Sequence, residues 1–357
     1  MATIKKLDRW LASIPLWLFV LISTASVVVK AGVSFAPLDN TEFQNFPFPP
    51  NYWSALSYGM RSIVFFTGQR SELTFSVVGI LLTIGSVAAI AYFANQRLAP
   101  TPARLFIMLV LIGPIGMVLF NRIGQNDVLV IMGALIAAFS GQRILIFILG
   151  IALMLLGNPE QTIIALLALL ILSLVPELRR WMWPSIVGLI LAVVTFFSLS
   201  ALARSTGARN RMEYLPDYLS NSFYGFAANL PLSLYAGLGA VWLVVAWVLV
   251  RVTRKERLWV ILALAVLPFT VTMITVDQTR VYVGVSALAV FVLLLNYLPG
   301  INSTVAKSKF PAFLGLTFLA LLFLPIIDIW GSSGHARTPY LWIFTSVVPQ
   351  VKTLIVG

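Results

Sequence analysis

The chain has 357 residues, 60% of them hydrophobic and only 10% charged, with a mean hydropathy of +0.96. Soluble globular domains carry about a quarter charged residues, so this composition argues against an ordinary water-soluble globule and for a polytopic membrane protein. Cysteine is absent and His335 is the single histidine, which excludes disulfides, a thiolate nucleophile and a His-based metal centre.

Taken in chain order, apolar runs predict an all-α, polytopic transmembrane protein of about eleven spans, one integral-membrane domain over residues 1–357. The spans are expected near 13–33, 72–93, 104–120, 127–140, 143–156, 161–175, 182–202, 234–250, 258–275, 282–298 and 311–330. The first run follows Lys5, Lys6 and Arg9 but lacks a small-residue cleavage site, so it is expected to stay as a helix rather than leave as a signal peptide. Three runs between Asp127 and Val175 fall short of the roughly 20 residues a bilayer requires. With the N-terminus inside, the inner loops hold fourteen basic residues, among them Arg97, Arg143, Arg179, Arg180 and Arg254, against Asp8, Glu177 and Glu256. Ten basic and nine acidic residues then remain outside. That bias, rather than nucleic acid, accounts for the net charge of +12 and predicts a cytoplasmic N-terminus, as for a multi-pass protein of a bacterial inner membrane.

Between the first two spans lies an outer loop, 34–70, whose early part carries Asp39 and Glu42; the Pro-rich 46–50 stretch cannot be regular helix. The stretch from Asn51 to Phe66 reads as an interfacial helix. The next outer turn, Phe120 to Asp127, is polar between apolar runs and contains Arg122, Asn126 and Asp127. Glu160 follows the Asn158-Pro159 turn, and a later outer loop, 203–233, carries Arg204, Arg209 and Arg211. In Val276-Asp277-Gln278-Thr279-Arg280 an acid and a base stand three apart, neighbours on a helix. That spacing fits a structural ion pair as well as a site. All these polar residues fall on the outer side, and polar groups close to hydrocarbon mark sites more often than cores.

Arginines offer multidentate donors to phosphate, and a carboxylate can take a proton from an attacking hydroxyl. A nucleotide-cradling loop ending in Lys-Ser/Thr is missing. The acid after the first span, the long first outer loop and the Arg122–Asp127 stretch together resemble the GT-C superfamily of integral-membrane glycosyltransferases. The resemblance implies a GT-C-like fold and transfer of a sugar from a polyprenyl-phosphate donor to a glycan, lipid or protein acceptor at the outer face, by inversion. It makes Asp39 the base, with Glu42 and Asp127 as further carboxylates of the catalytic group, Asp127 binding the acceptor hydroxyl or fixing Arg122. Arg122 or Arg280 would hold the donor phosphate, with Asn126, Glu160, Arg204, Arg209, Arg211 and Asp277 as further substrate contacts. Membrane lipids are the other expected partners. No cofactor is required, although Asp39, Glu42 and Asp127 could form an oxygen-ligand site for a divalent metal. An O-antigen-polymerase-like enzyme using a polyprenyl-diphosphate glycan, a polytopic lipid or solute transporter, and a noncatalytic subunit stay open as alternatives.

Overall fold

The computed structural model of the chain describes residues 2–34, 58–60, 62, 66, 72–141, 143–205, 219–220, 222–227, 230–275, 277–307, 313–330 and 333–337. Most of the expected interfacial helix at 51–66, together with Asp39, Glu42, Arg209 and Arg211, lies outside the described residues.

Helices dominate. Helices α1 (Ala2–Ser13) and α2 (Leu16–Ala31) are followed by α3 (Glu72–Arg97), α4 (Pro100–Leu111), α5 (Pro114–Asn121), α6 (Asp127–Phe139), α7 (Ile144–Gly157) and α8 (Pro159–Leu172). A 3-10 turn at Pro176–Trp181 runs into α9 (Met182–Ser205). Then come α10 (Leu230–Leu238), α11 (Val241–Arg251) and α12 (Arg254–Ile261). A π-helical turn at Leu262–Val266 leads to α13 (Leu267–Thr272), and the 30-residue α14 (Gln278–Lys307) precedes α15 (Phe313–Phe323). A two-stranded antiparallel ribbon, β1 (Ile326–Trp330) and β2 (Ser333–Arg337), ends the described part.

Punctuating residues explain where helices begin and stop. Pro100, Pro114 and Pro159 each stand in the first turn of a helix, where the missing N–H costs nothing. Asn158 caps α8 by accepting from the Gln161 N–H at 3.0 Å. Thr253 and Glu256 form a reciprocal capping box at the start of α12. At the far end, Pro325 cannot continue α15, and the β-branched Ile326, Ile327 and Ile329 suit the strand that follows. The helix expected over 311–330 is therefore a short helix and a ribbon.

The expectation of about eleven spans in a GT-C-like array is overturned. Among the described residues three helices are long and apolar enough to cross a membrane: Leu73–Arg97, Pro176–Ser205 and Gln278–Ile301. Two bent pairs raise the number to five at most, Pro100–Leu111 with Pro114–Asn121 at 53° and Leu232–Leu238 with Val241–Arg251 at 93°. Apart from 311–330, the predicted runs are helical, but breaks shorten many of them. Helix α6, at 13 residues, spans only about 20 Å, against about 30 Å of hydrocarbon. The run at 258–275 is divided by its π-helical turn.

Helix α14 is the axis of the core. Of its most apolar window 83% is buried, against 33% for the span in α3 and 17% for the one containing α9. Those two helices instead turn apolar stripes outward: Leu73, Val77, Leu81 and Ile84 on α3, and Ile190, Val194 and Phe197 on α9, all exposed at helical spacing. Outward apolar stripes on long helices are consistent with a multi-pass membrane protein. Around α14, the hairpin of α6 and α7 closes through small residues. A Cβ placed at Gly150 would stand 2.6 Å from the Ala137 nitrogen and 2.6 Å from the Gly133 carbonyl oxygen, so the two backbones touch where only glycine fits.

Candidate functional site

The polar turn after α5 is anchored from two sides. The Ser34 N–H donates to the Phe120 carbonyl at 3.1 Å, the Ile123 N–H returns to the Ser34 carbonyl at 3.3 Å, and the Asn121 side chain donates to the Ala31 carbonyl at 3.0 Å. Gly124 adopts a φ of 95°, and α3 approaches so closely that a Cβ at Gly79 would lie 2.4 Å from the Gly124 nitrogen. The end of α2, the turn and α3 are thus held together, which fixes Arg122, Gln125 and the start of α6.

Across from this turn stands the first turn of α14, itself tied to the ribbon. The Thr279 hydroxyl donates to the Ile327 carbonyl at 3.2 Å and accepts from the Ile329 N–H at 2.9 Å. Gln278 is buried and its Oε1 accepts from the Ser233 hydroxyl at 3.1 Å.

Between the two lie four charges. Arg280 Nε is 3.0 Å from Asp277 Oδ2 and 3.7 Å from Asp127 Oδ1, while Arg122 Nη2 is 3.4 Å from Asp277 Oδ2. Arg280 also donates to Gln125 Oε1 through Nη1. Its Nε–H is aligned with neither carboxylate, so those contacts are ion pairs and not hydrogen bonds. The negative charge of Asp328, on β1, acts on Arg280 as well. The arginine side chains retain 25% and 28% of their exposure, whereas Asp127 and Asp277 keep 11% and 13%, so the cations are the more exposed members and the acids the more buried. Taking the carboxylates out of water is costly, and the guanidiniums offset that cost. One acceptor is left over, because Asp277 Oδ1 is buried without a hydrogen-bond partner.

Arg122, Asp127, Asp277 and Arg280, singled out separately along the chain, therefore meet at one place. Asn126 sits at the edge of this group, its Oδ1 accepting from the Met60 N–H at 2.8 Å. Glu160 occupies the first turn of α8, and Arg204 is exposed in the last turn of α9. Sequence reasoning passed over Gln125 and Asp328. Gln125 had a signal, since it belongs to the same polar turn, whereas Asp328 reaches the cluster only because the ribbon folds back onto α14.

Comparison with known proteins finds no matching family model, no matching curated protein and no matching solved structure.

The expectation of a polyprenyl-phosphate glycosyltransferase is corrected on these findings, as is its place among glycan-building transferases of the cell envelope. The array of spans it presupposed is not there. Arg122 and Arg280, assigned to donor phosphate, are paired with aspartates. Among the described residues, no three of His, Cys, Asp and Glu gather into a group able to hold a metal ion. The polytopic transporter loses the same spans. Of the arginines offered for a polymerase, only Arg204 is described.

Proposed function

We propose that the protein is a multi-pass membrane protein, with its N-terminus in the cytoplasm, whose Arg122–Asp277–Arg280–Asp127 cluster recognises a neutral, hydroxyl-bearing polar group at the outer face. The observation that carries this reading is the buried Asp277 Oδ1, an acceptor without a donor, beneath two partly exposed guanidiniums. An unpaired buried acceptor costs about 1–3 kcal/mol, and a rotation of the carboxylate that brings Oδ1 to a ligand O–H removes that cost. A hydroxyl both donates and accepts, so its oxygen can take a hydrogen bond from Arg122 or Arg280 while its proton goes to Asp277. An anion would face as much negative charge as positive and gain little. Support for the sidedness comes from Arg97 and Arg180, which the basic bias assigns to the cytoplasm. They lie by the C-terminal part of α14, whereas the cluster lies by its N-terminus.

The test uses octyl glucoside, below its micelle concentration, added to the purified full chain in nanodiscs of phosphatidylcholine. The glucoside is expected to raise the thermal midpoint of the wild type and to leave that of Asp277→Ala unmoved. Equal responses by the two proteins contradict the reading.

A further inference from the structure

At the other end of the core, four elements line a half-open cavity of about 180 Å³. Arg97 comes from the end of α3, Phe139 and Gly141 from the end of α6, Arg180 and Trp181 from the 3-10 turn before α9, and Asn296 from α14. Arg280 and Asn296 are sixteen residues apart on α14, which places this cavity about 24 Å from the aspartate cluster. Among the described residues no carboxylate lines it.

Its hydrogen-bonding groups are out of balance in one direction. Arg97 Nη2 donates to the Phe139 carbonyl at 3.1 Å, and Arg180 Nη2 donates to Asn296 Oδ1. Those bonds occupy one N–H of each guanidinium, out of five. Arg180 also lies over the Trp181 ring, 5.9 Å from its centroid, which holds its plane in place. Trp181 is 1% exposed, yet its indole N–H has no acceptor. A buried donor left unpaired is as costly as a buried acceptor. Donors from two arginines therefore border a space whose nearby carbonyl and amide oxygens are already engaged. The volume is well above the roughly 10–15 Å³ that one water needs, which leaves room for a tetrahedral oxyanion.

We propose that this cavity binds a phosphate group, carried by an anionic lipid or by a soluble phosphate. Two guanidinium forks match phosphate oxygens in number and geometry. The two arginines were read from the sequence only as topological markers, which ordinarily point into water. Here both are exposed, yet each is fastened at the rim of a cavity, Arg97 by a carbonyl and Arg180 by an amide. Basic pockets between helices on the cytoplasmic side are where anionic head groups are received.

The experiment takes the full chain in nanodiscs of phosphatidylcholine, alone, with phosphatidylglycerol at one lipid in five, or with inorganic phosphate in the buffer. Wild type is compared with Arg97→Gln/Arg180→Gln and with Arg254→Gln/Arg257→Gln, which makes the same charge change outside the cavity. Stabilisation by phosphatidylglycerol that is lost only in the first variant establishes a lipid headgroup. Saturable stabilisation by inorganic phosphate with the same dependence establishes a soluble ligand. Each single substitution, Arg97→Gln or Arg180→Gln, should weaken the apparent affinity by about tenfold or more, since a hydrogen bond to a charged group is worth that factor. Equal losses in both double variants reduce the effect to surface charge and overturn the proposal, as does a wild type that responds to neither additive. Should the double variant fail to fold, native mass spectra of the wild type decide. Phosphatidylglycerol or phosphate retained in preference to phosphatidylcholine upholds the site, and no preference for either removes it.

Discussion

Replacing Arg280 by Gln removes the residue on which the cluster at the head of α14 depends. Asp127 has its one ion pair among the described residues with Arg280, whereas Asp277 keeps Arg122 at 3.4 Å. The substitution therefore strands Asp127, at 11% exposure, beside a second carboxylate. Leaving one partner of a buried pair uncompensated costs about 3–5 kcal/mol. Some exposure of Arg280 places the expected loss near the lower end, about 3 kcal/mol. Arg122→Gln should cost much less, about 1 kcal/mol, because Asp277 retains Arg280 at 3.0 Å. If the stranded charge is the cause, Asp127→Asn added to Arg280→Gln should recover about half of the loss, a coupling of a size seen for residues in one network. The assay is a double-mutant cycle on detergent-solubilised protein, unfolded thermally or by SDS and followed by tryptophan fluorescence. A cost below about 1 kcal/mol for Arg280→Gln, or strict additivity of the two substitutions, would refute the claim that this arginine compensates Asp127.

Other consequences follow from the packing. Gly150→Ala should lower stability by about 1–3 kcal/mol by overpacking, because its Cβ meets two backbones that cannot yield, whereas Gly85→Ala, with nothing within 4 Å, should be neutral or slightly favourable; midpoints measured in one detergent separate them. Lys30 is buried and donates to the Leu321 carbonyl, whose usual helical partner four residues on is Pro325, which has no N–H. Lys30→Met should therefore cost about 1–3 kcal/mol, and a midpoint equal to wild type would show that this carbonyl needs no donor.

Hydrophobic runs revealed nearly every helix, because burial and lipid exposure both select apolar side chains. They could not reveal span number, since a helix of 13 residues such as α6 is more apolar than one of 26 such as α3, and only the breaks set their lengths. Pro114 and Pro325 were visible, but whether a proline kinks, caps or ends a helix depends on its neighbours in space. Four of the site residues were legible as isolated polar groups near helix ends. What pairs Arg122 with Asp277, 155 positions apart, is the docking of the polar turn against α14, and a single sequence without long-range contacts carries no trace of it. The phosphate assignment failed for the same reason: arginine is the natural phosphate ligand until its carboxylate neighbours are known. Conversely, Arg97 and Arg180 were read as bystanders because Trp181, Phe139 and Asn296, which make their cavity, are unremarkable along the chain.

That the aspartate cluster and the basic cavity face opposite sides of a membrane is tested most directly by single-cysteine labelling, for which the cysteine-free chain is already suited. Ile274→Cys and Gln96→Cys place exposed thiols near the cluster and near the cavity, without altering either. In intact cells an impermeant maleimide should label position 274 and leave position 96 unlabelled until the membrane is opened. Labelling of 96 but not 274 would invert the orientation, and labelling of both to the same extent in intact cells would contradict the membrane-spanning arrangement itself.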